Sequence, residues 1–210
     1  MSTQLDRKVL TYLAAVPGIG PVFLHKLRQW AVKKSLSLAE IVASPSSVPY
    51  LTQNQKIADG IAQLAKHYSV EQYWRWIGDQ GIAVLFPTDP EYSVALRQAA
   101  VKPAPLYCRG DLRLLHAEVP IAVVGSRHTT VYGERATKTV VRQLCYGGAT
   151  IVSGFMYGID TIAHQEAIKA GGATIGVLGF GFGQMFPSTH QRLFDYFLQR
   201  GALFVSQFPP

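Results

Sequence analysis

The chain has 210 residues, 48% of them hydrophobic and 16% charged, a balance that buries a core and excludes a disordered chain. No stretch reaches the roughly 18 uninterrupted apolar residues of a membrane span, so a spanning protein is not expected. Twenty Lys and Arg against thirteen Asp and Glu leave a net charge of +7, which favours polyanionic partners without identifying one. The first 115 residues carry 13 basic and 8 acidic side chains and the rest carry 7 and 5, so the charge is spread rather than concentrated in a run. The N-terminal MSTQLDRKVL holds no apolar signal core, and Cys108 and Cys145 form neither a CxxC site nor a disulfide framework. A reduced, cytoplasmic setting is expected.

The first 80 residues read as helical. Leu5, Val9, Leu13 and Val16 recur at helical spacing, Pro17-Gly18-Ile19-Gly20-Pro21 breaks the pattern, and Val22, Leu24, Leu27 and Trp30 resume it. The break has the form of a helix-hairpin-helix turn. The exposed N–H groups of Gly18 and Gly20 are candidate phosphate donors, with Lys26 nearby as a secondary contact, although the same turn serves purely structural hairpins. A further helix is predicted over Gln53–Lys66. Another starts at the capping box Ser69-Val70-Glu71-Gln72 and ends near Gly81. Ile82–Phe86 and Leu106–Arg109 read as short strands. Between them Asp89-Pro90 reads as an N-cap followed by proline at the first helical position.

From residue 120 strands and helices alternate. Strands are predicted at Ile121–Val124, Thr150–Val152, Thr174–Leu178 and Ala202–Val205, and helices at Tyr132–Tyr146, Asp160–Ala170 and from Ser188 to Arg200. Glycine-bearing loops sit at the switches, which points to an α/β protein with a doubly wound parallel sheet whose ligand sites lie at the strands' carboxyl ends. There Gly125-Ser126-Arg127 is the leading candidate. The glycine admits close backbone approach, Ser126 offers a hydroxyl donor, and Arg127 presents a planar fork to phosphate. Its alternative is a surface salt bridge. In Ser153-Gly154-Phe155-Met156-Tyr157-Gly158-Ile159-Asp160, Asp160 is expected to cap the following helix, and Tyr157 either stacks on a base or packs. Asp160 and His164 stand four apart but lack a third ligand, so no metal site is expected. Gly179-x-Gly181-x-Gly183 lacks the last glycine of a dinucleotide fingerprint and follows the wrong strand. It suits close approach of another phosphate ligand or of neighbouring chain. No GxSxG, P-loop or HExxH is present. No catalytic residue and no cofactor are expected, and the chain reads as a binder rather than an enzyme.

Taken in order, Val123-Val124-Gly125-Ser126-Arg127, Tyr132-Gly133, Val152-Ser153-Gly154, Gly158-Ile159-Asp160, Ala163-His164, Gly171-Gly172, Val177-Leu178-Gly179-x-Gly181 and Phe186-Pro187 resemble the DprA/Smf family of DNA-processing proteins. Asp89-Pro90-Glu91-Tyr92 and Leu106-Tyr107-x-Arg109-Gly110 extend the resemblance upstream. The resemblance implies a helical, SAM-like domain over 1–80, an extension over 81–118, and a Rossmann-like domain over 119–210 shortened at its C-terminal side. It implies binding and protection of single-stranded DNA, loading of a RecA-type recombinase, homodimerisation and no hydrolysis. The implied DNA-contacting set is Gly125, Ser126, Arg127, Gly154, Tyr157, Gly158, Gly179 and Gly181.

The chain departs from the family pattern at several positions. Met156 and Tyr157 stand where a basic residue is common, Gly183 where an aspartate is, and His190 where an asparagine is. Two other readings compete. One is a nucleotide-processing enzyme like the Lonely Guy phosphoribohydrolases, whose PGGxGTxxE motif this chain lacks. The other is an inactive remnant that serves only protein interaction.

Overall fold

The computed structural model describes residues 3–43, 54–99 and 105–210. The predicted Gln53 helix start lies outside them. Helix α1 (Gln4–Ala14) opens on a capping box in which the Thr3 hydroxyl accepts the Asp6 N–H and Asp6 accepts the Thr3 N–H. Val9, Leu10 and Leu13 form its buried face, while Leu5 is 48% exposed. The hairpin leads to α2 (Pro21–Lys33), with proline at its start. Leu24, Leu27 and Ala31 point inward, whereas the predicted Val22 points out. Helices α3 (Leu38–Ala43), α4 (Gln55–His67) and α5 (Val70–Asp79) also belong to the helical part. The Ser69–Gln72 capping box forms as predicted, and Gly81, at φ +69°, ends the turn.

Among the described residues the sheet has six strands, in the order β1-β2-β6-β5-β4-β3. They are β1 (Ala83–Leu85), β2 (Leu106–Gly110), β3 (Pro120–Ala122), β4 (Thr150–Ser153), β5 (Thr174–Leu178) and β6 (Leu203–Ser206). Strands β3 to β6 are parallel and stand in chain order; β2 runs antiparallel to both β6 and β1. The segment 81–118, expected only to lead into the parallel strands, therefore contributes two strands to the same sheet. Cross-strand pairing of Tyr107 with Ser206 and of Arg109 with Phe204 places them there. That pairing joins residues almost a hundred positions apart, and no local pattern announces it.

Crossovers are made by α7 (Val131–Tyr146), α8 (Ile159–Lys169) and α9 (Gln191–Gln199). Short helix α6 (Val94–Gln98) follows Ser93, so the expected helix start at Asp89-Pro90 is displaced by four residues. Asp89 is instead a buried turn residue. It accepts the Phe86 N–H at 2.9 Å and forms a bidentate ion pair with Arg7 of α1.

Residues alternate across each strand. Val84, Phe86 and Tyr107 join the helical core with Leu13, Leu27 and Tyr73. Leu106, Cys108, Leu203 and Val205 face a separate cluster with Tyr92. Phe204 turns the other way, into an aromatic cluster with Phe155, Phe194 and Phe197. Ile151 meets Val141 of α7 and Ala163 and Ala167 of α8. Burial holds the Cys108 thiol up at about 12, which makes it an inert core residue.

Candidate nucleic-acid interface

The loops after β3 and β4 meet at the carboxyl end of the parallel sheet. The first, from Val123 to Thr130, is stiffened from within. The Ser126 hydroxyl donates to the His128 carbonyl at 2.7 Å and accepts the His128 N–H at 3.1 Å. The donor that the sequence offered to a ligand is therefore spent inside the loop. Thr130 then caps α7 by accepting the Gly133 N–H.

The second loop is locked to the first. Gly158 adopts φ +79°, and a side chain there would overlap the carbonyl oxygens of Ser126 and Arg127. Only glycine combines that left-handed backbone with so close an approach. The Ile159 N–H donates to the Ser126 carbonyl across the same contact. A Cβ on Gly125 would lie 2.6 Å from Ile159, and one on Gly154 would lie 2.7 Å from the Asp160 carboxylate. Gly125 thus lets the two loops close on each other, and Gly154 leaves room for the Asp160 carboxylate within the second.

Asp160 is not the helix cap. Gly158 occupies that position, and Asp160 sits in the first turn, 8% exposed, with its carboxylate toward the Met156 N–H at 3.4 Å. A carboxylate in the first turn still favours the helix through its dipole. Phe155 takes a left-handed backbone, φ +60°, that bulky residues rarely adopt. The surrounding rings hold it there: His190, Phe194, Phe197 and Phe204 all pack against it with centroids within 6.2 Å.

This framework leaves a concavity of about 450 Å³ lined by Arg127, His128, Tyr157, Gly158, Thr161 and His190, among others. Arg127 is exposed and makes no salt bridge among the described residues. The Tyr157 ring, 46% exposed, is fixed by a 2.8 Å hydrogen bond between its hydroxyl and Thr189 and by an edge contact with His190 at 4.8 Å. His190 in turn donates from Nδ1 to the Phe155 carbonyl at 3.2 Å. The wall thus presents one cation, one anchored aromatic face and two imidazoles. His128 was not singled out from the sequence, although it directly follows Arg127 in the same loop.

Gly179 and Gly181 do not line this concavity. A Cβ on Gly181 would run into the Pro209 carbonyl, and Gly183 lies against Pro210. Ser206 secures the same contact by donating to the Phe180 carbonyl at 2.8 Å. At Gly181 and Gly183 the close approach is that of neighbouring chain, whereas Gly179 has open space around it. The hairpin residues Gly18 and Gly20 line a different, apolar cleft of about 470 Å³ with Pro105 and Phe208, and Lys26 is exposed on α2. The described residues contain no cluster of three His, Cys, Asp or Glu able to hold a metal. His164 is fully buried, with Nδ1 2.6 Å from the Thr174 hydroxyl; desolvation drives its pKa down to about 4.

The parallel strands in chain order, joined by crossover helices and with the loop site at their carboxyl ends, define a Rossmann-like α/β protein. Within that class, residues 83–210 match the family described as DNA recombination-mediator protein A. The chain belongs to this family, also named DprA/Smf. It is 30% identical over 191 residues to the DNA processing protein DprA of Bacillus subtilis, covering 88% of this chain and 61% of that one. It is 38% identical over 142 residues to Protein Smf of Escherichia coli, covering 67% and 37%. The chain thus spans less than two thirds of the length of each of these relatives. The crystal structure of DprA from Streptococcus pneumoniae superposes with a TM-score of 0.68 at 26% identity, covering all of this chain and 69% of that one. A DprA structure from Helicobacter pylori, described for its single-stranded DNA binding mode, matches with a TM-score of 0.52 at 28% identity over 61% of this chain and 56% of that one. No helix among the described residues is long and apolar enough to cross a membrane.

Proposed function

We propose that the chain binds single-stranded DNA in recombination and natural transformation, protects it, and presents it to a RecA-type recombinase without cutting it. One observation carries the reading: Arg127, exposed and without a salt bridge among the described residues, shares one concavity with the anchored ring of Tyr157. A guanidinium takes a phosphate bidentately, and an aromatic face accepts any unpaired base. A duplex conceals its base faces, so the pairing of these two groups favours single strands. The H. pylori relative is described as binding single-stranded DNA, which supports carrying that ligand over. Gly125, Ser126, Gly154 and Gly158 position the two contact groups, and Asp160 braces the second loop. Homodimerisation and action in the cytoplasm complete the proposal.

Fluorescence anisotropy with labelled single- and double-stranded oligonucleotides at two salt concentrations tests it. The unaltered chain prefers single strands, and affinity falls with salt. Arg127→Glu lowers affinity at least tenfold by replacing a phosphate contact with a repulsive charge. Equal affinity of Arg127→Glu and the unaltered chain refutes the assignment of the site.

A further inference from the structure

Helix α7 begins one residue beyond the concavity, because Thr129 lines that site and Thr130 caps the helix. Of its sixteen residues only Val141 is buried, few for a helix that crosses between parallel strands. Its exposed face carries an ordered stripe: Tyr132, Arg135, Thr139, Arg142 and Tyr146. Steps of three and four residues place all five within an arc of roughly 80°, so they point the same way. Tyr132 is 81% exposed and Tyr146 is 69% exposed. At the far end Lys138, Arg142, Tyr146 and Lys169 of α8 surround a second concavity of about 420 Å³.

The acids on this face are already taken. Glu134 is held by Lys138, and the buried Glu166 is held by Arg142. Arg135 and Lys169 make no salt bridge among the described residues. The face therefore offers unpaired cations between exposed aromatic rings and no unpaired acid. That is the complement of a strand with phosphates on one side and free bases on the other. From Tyr132 to Tyr146 the stripe runs about 21 Å, long enough for several nucleotides.

Resting on the reading above, we infer that α7 extends the single-stranded DNA site. The strand leaves the Arg127 concavity, follows the outer face of α7 with bases on Tyr132 and Tyr146, and places phosphates on Arg135 and Lys169. The experiment uses the whole chain and fluorescein-labelled oligothymidylates of about 6 and about 20 nucleotides. The test variants are Tyr132→Ser with Tyr146→Ser, and Arg135→Ser with Lys169→Ser. All four side chains are exposed, so the variants fold. Arg142 is left in place because its loss would strand the buried Glu166.

The tyrosine pair of substitutions is expected to weaken the long oligonucleotide by about thirtyfold or more and leave the short one, held at Arg127, unchanged. The cation pair is expected to lower the slope of log affinity against log salt by about 1.4. Unchanged affinity for the long oligonucleotide in both variants overturns the inference. So does a change of oligomeric state in light scattering that accounts for the loss, since the face is then a protein interface. Binding abolished by Arg127→Glu but untouched by the α7 variants overturns this inference alone. Absence of binding by the unaltered chain overturns the proposed function and this extension together.

Discussion

The contact between Arg7 and Asp89 ties α1 to the turn after β1 and so couples the helical part to the sheet. Asp89 is an acid whose side chain is 9% exposed, paired with a guanidinium that is 25% exposed. Arg7 spans its carboxylate with both terminal nitrogens, donates to the Val84 carbonyl at 3.1 Å, and lies 4.9 Å over the Phe86 ring. Arg7→Met keeps most of the apolar stem over Phe86 but removes the charge, leaving a carboxylate in a pocket that water hardly enters. Breaking a buried pair from one side costs about 3–5 kcal/mol. Because Arg7 is a quarter exposed, the lower end applies, about 3 kcal/mol. For a chain of this size that lowers Tm by roughly 6–12 °C. Asp89→Asn costs less, about 1–2 kcal/mol, because the amide oxygen still accepts the Phe86 N–H and the partly exposed Arg7 recovers water. The double variant contains no buried charge and recovers much of the loss of Arg7→Met. Urea unfolding of all four proteins gives the cycle. A loss below 1 kcal/mol for Arg7→Met, or simple additivity in the double variant, would refute the buried-pair reasoning.

Other consequences are equally direct. Gly158→Ala forces a side chain into the Ser126 carbonyl and an unfavourable left-handed backbone. It is expected to lower stability by more than 1 kcal/mol and to weaken oligonucleotide binding even though the glycine itself carries no contact group. Stability should also fall in acid through His164: its folded pKa of about 4 lies below the ordinary 6.5, so between those values the unfolded chain binds the extra proton. The contribution is complete above pH 6.5 and is lost as pH falls toward 4, amounting to about 3 kcal/mol. Urea midpoints from pH 7.5 to 4.5 should drop in the native chain and drop less in His164→Gln.

What was legible in the sequence follows from the range of the interactions. The capping box at Ser69 and Gln72 and the glycine stops at Gly81 and Gly171 are set within one turn of chain, and they appear where the sequence puts them. The parallel strands were legible because each is a short apolar run close to a glycine loop; β4, β5 and β6 are largely buried, whereas β3, at the edge of the sheet, is partly exposed. Asp89 was misread because its decisive partner, Arg7, lies 82 residues away. The short strands at Ile82–Phe86 and Leu106–Arg109 were legible, but their place in the same sheet was not, because β2 pairs with β6 across a similar gap. Within the candidate site, Arg127 and Tyr157 stand out by side-chain chemistry, and the fold brings them to one concavity. The division of the glycines was not legible. Gly125, Gly154 and Gly158 answer to Ile159, Asp160 and the Ser126 backbone, and Gly181 answers to Pro209. Those are neighbours that only the folded chain supplies.

The two departures from the family pattern at Tyr157 and His190, read separately from the sequence, prove to be one feature. Their rings meet edge to face at 4.8 Å, and both line the Arg127 concavity. A flexible basic side chain at 157 would not need that wall, whereas a tyrosine used as a stacking platform does. The edge of His190 and the Thr189 hydroxyl hold the ring in a single orientation and spare the entropy of fixing it on binding. On the proposed reading of the site, a phosphate contact is exchanged for a base contact. Tyr157→Lys should restore the former: the salt dependence of single-strand binding steepens by about 0.7 per added phosphate contact, and ultraviolet crosslinking to bromouracil at this position disappears. His190→Ala should leave the salt dependence alone and weaken binding by loosening the Tyr157 ring, an effect absent when tested in Tyr157→Lys. An equal loss from His190→Ala in both backgrounds would show that the imidazole contacts DNA by itself and that the two residues are not a unit.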